Sequence, residues 1–187
     1  INGNAPTIKA PGFATDDRRA TRMAVDHLIA LGHQRIGLAM GPMRMVPAQR
    51  KRSGYEDAMT EGLPGELLRM VETLYTYEGG VSAALHLLEQ GCTGIVCSSD
   101  VMALGVVQGA RQTGRSVPHD VSVIGYDDSP PMPAPPLTTV RQPVDAICRA
   151  AVSTLLAQLG GERPSDTEML FAPDLIVRDS TAAAPID

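Results

Sequence analysis

The chain carries no tryptophan, two phenylalanines and four tyrosines in 187 residues, so any ring that meets a ligand comes from a very small set. Cysteine is equally scarce. Cys92, Cys97 and Cys148 show no metal-ligand spacing, and an odd number argues against a disulfide framework, which points to a reducing cytoplasm. Basic charge is short as well: the net charge of −5 and the pI near 5.3 are the opposite of a nucleic-acid-binding footprint. Contact with DNA therefore requires something outside this chain. No apolar run approaches the roughly 18 residues needed to span a bilayer, so no membrane is expected. The opening Ile1-Asn-Gly-Asn has neither the charged nor the apolar region of an export signal. There is no internal repeat. Also missing are a Gly-x-Gly-x-x-Gly turn after a strand, a Gly-x-x-x-x-Gly-Lys-Ser/Thr loop and a His–carboxylate pattern with metal spacing. With no nucleophile beside a base, an enzyme would lack its working parts. No catalytic residue, metal or cofactor is expected.

What is there is a globular composition, 43% apolar and 20% charged, enough for one domain or one and a fraction. Thr15-Asp16-Asp17 reads as the N-cap of a helix with apolar groups at Ala20, Met23, Ala24, Val25, Leu28 and Leu31, stopped by Gly32. Residues 36–40 read as a buried strand ended by Gly41-Pro42. A helix over 49–61 follows, with Tyr55, Ala58 and Met59 on one side. A strand at 70–75 and a helix over 80–90 come next, the latter with Val81, Ala84, Leu85 and Leu88 inward. Residues 94–98 form a third strand, Asp100 caps a helix to about Thr113, and 121–126 is a fourth strand buried on both faces.

This alternation predicts an α/β fold, a parallel sheet with helices on both faces. Its carboxyl edge gathers residues 41–52, 75–79, 98–100 and 126–129, and ligands bind at that edge of open parallel sheets. Asp127 ends the fourth strand there; a carboxylate in that place can accept two hydroxyl hydrogen bonds, which suits a sugar or nucleoside. Asp128 reads as a turn or cap residue. Arg50-Lys51-Arg52 opens a helix, where cations oppose the helix dipole and so invite a reason beyond stability.

The rest of the chain does not belong to that single sheet. Pro130, Pro131, Pro133, Pro135 and Pro136 favour an extended crossing. A long amphipathic helix over 143–160 follows, with Val144, Ile147, Ala151, Leu155 and Leu159 inward, and Leu175-Ile-Val177 reads as a last strand. Ile1-Asn-Gly3 looks like the tail of a strand begun upstream. The expectation is one near-complete lobe, residues 34–137 and 163–181, plus parts of a first lobe at 1–33 and 138–162. A lobe without its strands would expose the apolar faces of the helices at 16–31 and 143–160, an association-prone surface.

Several strings then stand in a telling order: Asp16 with His27-Leu-Ile-Ala-Leu-Gly-His33, Arg35-Ile36, Gly54-Tyr55, Ala58 and Ser98-Ser-Asp-Val-Met-Ala-Leu-Gly105. Val117-Pro-His-Asp-Val-Ser-Val-Ile-Gly-Tyr-Asp-Asp128, Pro135-Pro-Leu-Thr-Thr-Val-Arg-Gln-Pro143 and Val177-Arg-Asp-Ser-Thr181 complete them. Over residues 16–181 the chain resembles the effector-binding core of the lactose-repressor/galactose-repressor family of bacterial transcription regulators. The resemblance implies a two-lobed, periplasmic-binding-protein-like fold with a small, sugar-like effector between the lobes. It also implies a homodimer, and operator DNA bound through an N-terminal headpiece that this chain does not include.

The family uses the Asp after Gly-Tyr for the effector, here Asp127. It places an effector-binding Arg three residues before the Gly of Gly-Tyr, and that position is Lys51, a departure that leaves Arg52 or Arg50 as substitutes. Tyr75 falls where relatives carry a stacking ring, and Ser99 replaces the Asn of some relatives. Asp16 caps its helix, and His27 and His33 are read as packed or capping. Met40, Met43, Met45 and Met59 fill gaps or line the pocket. The competing reading is a periplasmic solute-binding protein of the same fold.

Overall fold

The structure is a computed structural model that describes residues 10–129, 136–162 and 167–185. The expected strand tail at 1–3 and the prolines at 130, 131, 133 and 135 lie outside those residues. The chain runs β1 (Gly12–Thr15), α1 (Asp17–Ala30), β2 (Ile36–Met40), α2 (Val46–Gly62), β3 (Arg69–Glu72), α3 (Tyr77–Glu89) and β4 (Gly94–Cys97). It continues α4 (Asp100–Gln112), β5 (Ser122–Asp127), β6 (Thr138–Arg141), α5 (Val144–Leu159), β7 (Glu168–Phe171) and β8 (Asp174–Ile176). Six strands form one sheet in the order β3-β2-β4-β5-β6-β8, parallel except for β8. β1 and β7 form a separate parallel pair.

Alternation along the central strands builds two cores. Ile36, Leu38, Met40, Val96, Ile124 and Tyr126 point to one face and pack against Ala20, Ala24, Val25 and Leu28 of α1 and Tyr55, Ala58 and Met59 of α2. Ala39, Ile95, Cys97 and Val123 point to the other, against Ala83, Ala84, Leu87 and Leu88 of α3 and Met102, Ala103 and Val106 of α4. On α3 the inward stripe runs through Ala83 and Leu87, with Val81 and Leu85 at its margin. The α1–α2 crossing is close because position 54 is glycine: a Cβ there would stand 2.0 Å from the Arg18 carbonyl oxygen. Tyr55 closes the same packing by donating its hydroxyl to the Ile36 carbonyl at 2.9 Å and accepting from the Arg69 amide. The Gly54-Tyr55 pair is thus a packing device.

Packing divides the chain differently from the expected boundaries. α1, expected with the first lobe, is buried in the core of the six-stranded sheet, because its apolar stripe matches the face of β2 and β4. β6 joins that sheet beside β5, and β7 leaves it to pair with β1. Three connections, at 15–17, 141–144 and 171–174, run between the small β1–β7 unit and the large sheet. Helix α5 was expected to bury five apolar residues. Only Ile147 is buried, while Val144, Leu155, Leu156 and Leu159 are exposed, since two short strands cannot cover a helix of this length. The exposed apolar surface foreseen for the two flanking helices is therefore confined to α5. The cap of helix α4 lies one residue earlier than expected: Ser99, not Asp100, is the N-cap, and its hydroxyl accepts from the Met102 amide at 3.2 Å.

Among the described residues no helix is long and apolar enough to cross a membrane, and no cluster of His, Cys, Asp and Glu could hold a metal ion.

Candidate functional site

The strand order reverses at β2: the chain passes outward to β3 and then returns across β2 to β4. A crevice opens outside the carboxyl ends of strands at such a point. There the structure has a cavity of about 370 Å³ lined by Asp17, Met45, Pro47, Lys51, Tyr75, Ser98, Ser99, Val101, Tyr126, Asp127 and Gln142. Each side chain arrives from the end of a strand or the first turns of the helix after it.

Lys51, on the second turn of α2, is only 5% exposed. Its ammonium donates to the Ser98 carbonyl at 3.0 Å, lies 3.7 Å from Asp17 Oδ1 and stands 3.4 Å above the centroid of the Tyr126 ring. Such a cation–π contact is strongest when desolvated, as here. Burial pushes the Lys51 ammonium below its ordinary range, and the carboxylates of Asp17 and Asp127 act against that shift. The Tyr126 hydroxyl donates to Asp17 Oδ1 at 2.6 Å. Burial raises Asp17 above the usual carboxylate range, opposed chiefly by Lys51.

Asp127 leaves β5 with φ 121°, a conformation that L residues rarely adopt, and Asp128 follows at φ 54°. This double left-handed step separates two adjacent carboxylates. Asp127 Oδ1 accepts from Gln142 Nε2 at 2.7 Å, and Gln142 Oε1 accepts from the Thr15 hydroxyl at 2.8 Å. Burial raises Asp127, while Gln142 and Lys51 pull it down. Asp128 turns away and binds Arg178 at 2.6 Å and Arg141 at 2.7 Å. Burial works against the ionised form, but the two guanidinium groups outweigh it and hold Asp128 below the ordinary range.

Tyr75 packs against Gly41, where a Cβ would sit 2.1 Å from the ring. Burial pushes its hydroxyl up to about 12, so the ring offers a neutral phenol. Ser98 contributes its carbonyl to Lys51 and a buried hydroxyl that has no hydrogen-bond partner among the described residues. Asp100 stands behind the wall, accepting from the Thr139 hydroxyl and the Ser129 amide.

Of the expected site residues, Asp127, Lys51, Tyr75 and Ser99 converge on this cavity. Arg52 does not. It points outward and pairs with Glu56 one turn later, since consecutive helix positions diverge by about 100°. Arg50 turns instead to Glu168 of β7, tying α2 to the small unit. Met45 lines the cavity, Met40 and Met59 lie in the core, and Met43 packs at its edge. His33 is packed, its ring nitrogens meeting Thr93, Ser122 and the Ala182 carbonyl. Asp16 caps α1 through the Arg19 amide. Sequence reading missed Asp17 and Gln142, and it placed Tyr126 at the sheet edge without a role. The doublet Asp16-Asp17 held a signal, because one carboxylate suffices for a cap and its neighbour on α1 must face elsewhere.

Comparison with known proteins agrees with this geometry. The family model of the periplasmic binding protein-like domain matches residues 25–181. The HTH-type transcriptional regulator MalR of Streptomyces coelicolor is 49% identical over 99% of this chain and 56% of its own length. Among solved structures, a LacI transcriptional regulator from a Rhodococcus species superposes with TM-score 0.90 at 31% identity, covering 98% of this chain and 69% of that one. A LacI-family regulator from Enterococcus faecium with bound ribose gives TM-score 0.81 at 28% identity, covering 94% and 67%. The chain spans little more than half the length of the curated regulators that it matches.

Proposed function

We propose, for a chain that belongs to the LacI family of transcriptional regulators and carries their periplasmic-binding-protein-like effector domain, that its effector is a small polyhydroxylated molecule held in the cavity at the β2–β4 edge. The observation that carries this is the convergence of Asp127, Lys51, Tyr75 and Ser99 on one cavity. Asp127 accepts ligand hydroxyls, and the Tyr75 ring packs on a sugar face.

In this reading β1, β7 and α5 belong to a first lobe, and the six-stranded sheet with α1 to α4 is the second. The chain Thr15–Gln142–Asp127 crosses from one to the other, so occupancy at Asp127 biases the angle between lobes. The whole protein works as a cytoplasmic homodimer that meets operator DNA through a headpiece outside this chain, and it performs no catalysis. That the ribose-bound relative holds a sugar supports the effector class.

Titration calorimetry with ribose and with a panel of mono- and disaccharides tests the effector class. A binder whose affinity falls about tenfold to a hundredfold in Asp127→Asn is the expected result, the loss of one charged hydrogen bond. A panel without a binder defeats the proposal. Sequencing the coding DNA upstream of Ile1 tests the regulator: a helix-turn-helix is expected there, whereas an export signal would make this a solute receptor.

A further inference from the structure

The cavity carries more negative than positive charge. Two carboxylates, Asp17 and Asp127, and one ammonium, Lys51, line it, and among the described residues no arginine does. Four arginines of the adjoining elements are held by other acids: Arg50 by Glu168, Arg52 by Glu56, and Arg141 and Arg178 by Asp128. Lys51 is itself engaged on three sides, by the Ser98 carbonyl, the Asp17 carboxylate and the Tyr126 ring. An anionic group entering here would meet Asp127 with no guanidinium among the described lining residues to receive it, and like charges brought together out of water are strongly unfavourable. The hydrogen-bonding groups left at the lining suit hydroxyls: the Asp127 carboxylate, which accepts from Gln142, and the neutral Tyr75 phenol.

Resting on the effector reading above, we infer that the cavity selects an uncharged polyol and rejects its phosphorylated or carboxylated forms, with Lys51 serving as the internal counter-ion of Asp17. Lys51 is then a positioning residue. It holds Asp17 and the Ser98 carbonyl in place and leaves Asp127 as the charged group that meets the ligand. A point charge buried on its own acid, as Lys51 is on Asp17, offers no bidentate fork to a phosphate.

The test is calorimetry on the chain with ribose, glucose, maltose and cellobiose, each beside its phosphate ester, and with inorganic phosphate alone. The expected result is that a neutral sugar binds about tenfold or more tightly than its ester, and that inorganic phosphate gives no heat. An ester tighter than its parent, or saturable binding of phosphate, overturns the inference and leaves the effector reading intact. Silence from every sugar and every ester overturns the effector reading, and this inference with it. Asp17→Asn keeps an oxygen for the Tyr126 hydroxyl while releasing Lys51 from its acid, so the ratio of ester to parent affinity is expected to rise. An unchanged ratio in a folded Asp17→Asn variant overturns the counter-ion role.

Discussion

The Tyr126 ring carries the Lys51 ammonium on its face while its hydroxyl donates to Asp17, so one aromatic side chain fixes both members of a buried ion pair. The three residues come from β5, α2 and α1, and their contact ties the two helices to the sheet beneath the cavity.

That arrangement sets the expected cost of breaking it. Lys51→Met leaves Asp17 ionised or protonated in a buried place without its cation, at about 3 kcal/mol. The double variant Asp17→Asn/Lys51→Met removes both charges and recovers most of the loss. Urea unfolding followed by far-UV circular dichroism gives the comparison; equal losses in single and double variants would show that the pair is not coupled.

Gly41→Ala addresses the ring of Tyr75. The new Cβ would overlap it, and the ring must swing off the cavity wall. Ligand affinity is expected to drop several-fold, with stability lowered by about 1 kcal/mol because a side chain, not backbone, gives way. Calorimetry with whichever sugar binds the parent chain decides it; unchanged affinity would remove Tyr75 from the site.

Gly54→Ala is expected to be harsher, since the atom met is the Arg18 backbone oxygen at 2.0 Å. The α1–α2 crossing must open, at about 3 kcal/mol. The unfolding midpoint reports it, and a loss below about 1 kcal/mol would mean that the helices separate freely.

Asp128 makes a pH prediction. Its two arginines lower its folded pKa below the ordinary 3.8, so its contribution is complete above that value and is lost as pH falls through the depressed folded value. Asp128→Asn keeps a residue that tolerates the left-handed backbone at φ 54° and removes only the charge. It should cost about 1 kcal/mol at pH 7, discounted because half of the Arg141 side chain is exposed to solvent. The gap to the parent should close as pH falls below 3.8. A pH-independent gap would point to packing instead of charge.

Local chemistry made most of the large sheet legible. β2, β4 and β5 are β-branched or apolar runs buried on both faces, and α1, α3 and α4 are bounded by side-chain caps and stops that act within a few residues. Asp127 could be placed at the carboxyl edge of the sheet because the end of a strand is a local property once the sheet is parallel. β1, β6 and β7 escaped notice. Each is four residues long and draws its pairing from partners far away in sequence, as Gly12–Thr15 does from Glu168–Phe171. The order of the strings from Asp16 to Thr181 was enough to indicate the family.

Which of three adjacent cations enters the cavity was a tertiary decision. Helix rotation about the axis, set by Gly54 against Arg18, sends Lys51 inward, Arg52 to Glu56 and Arg50 across to Glu168. Gln142 and Asp17 became visible only when β6 and α1 docked beside β5, because a side chain's partners depend on packing across the fold. Sequence by itself therefore determined the alternating elements, the buried strands and the carboxyl edge of the sheet, all consequences of short-range periodicity and capping. Tertiary structure alone decided the charge balance of the cavity, since burial and pairing between distant groups determine which charges face a ligand.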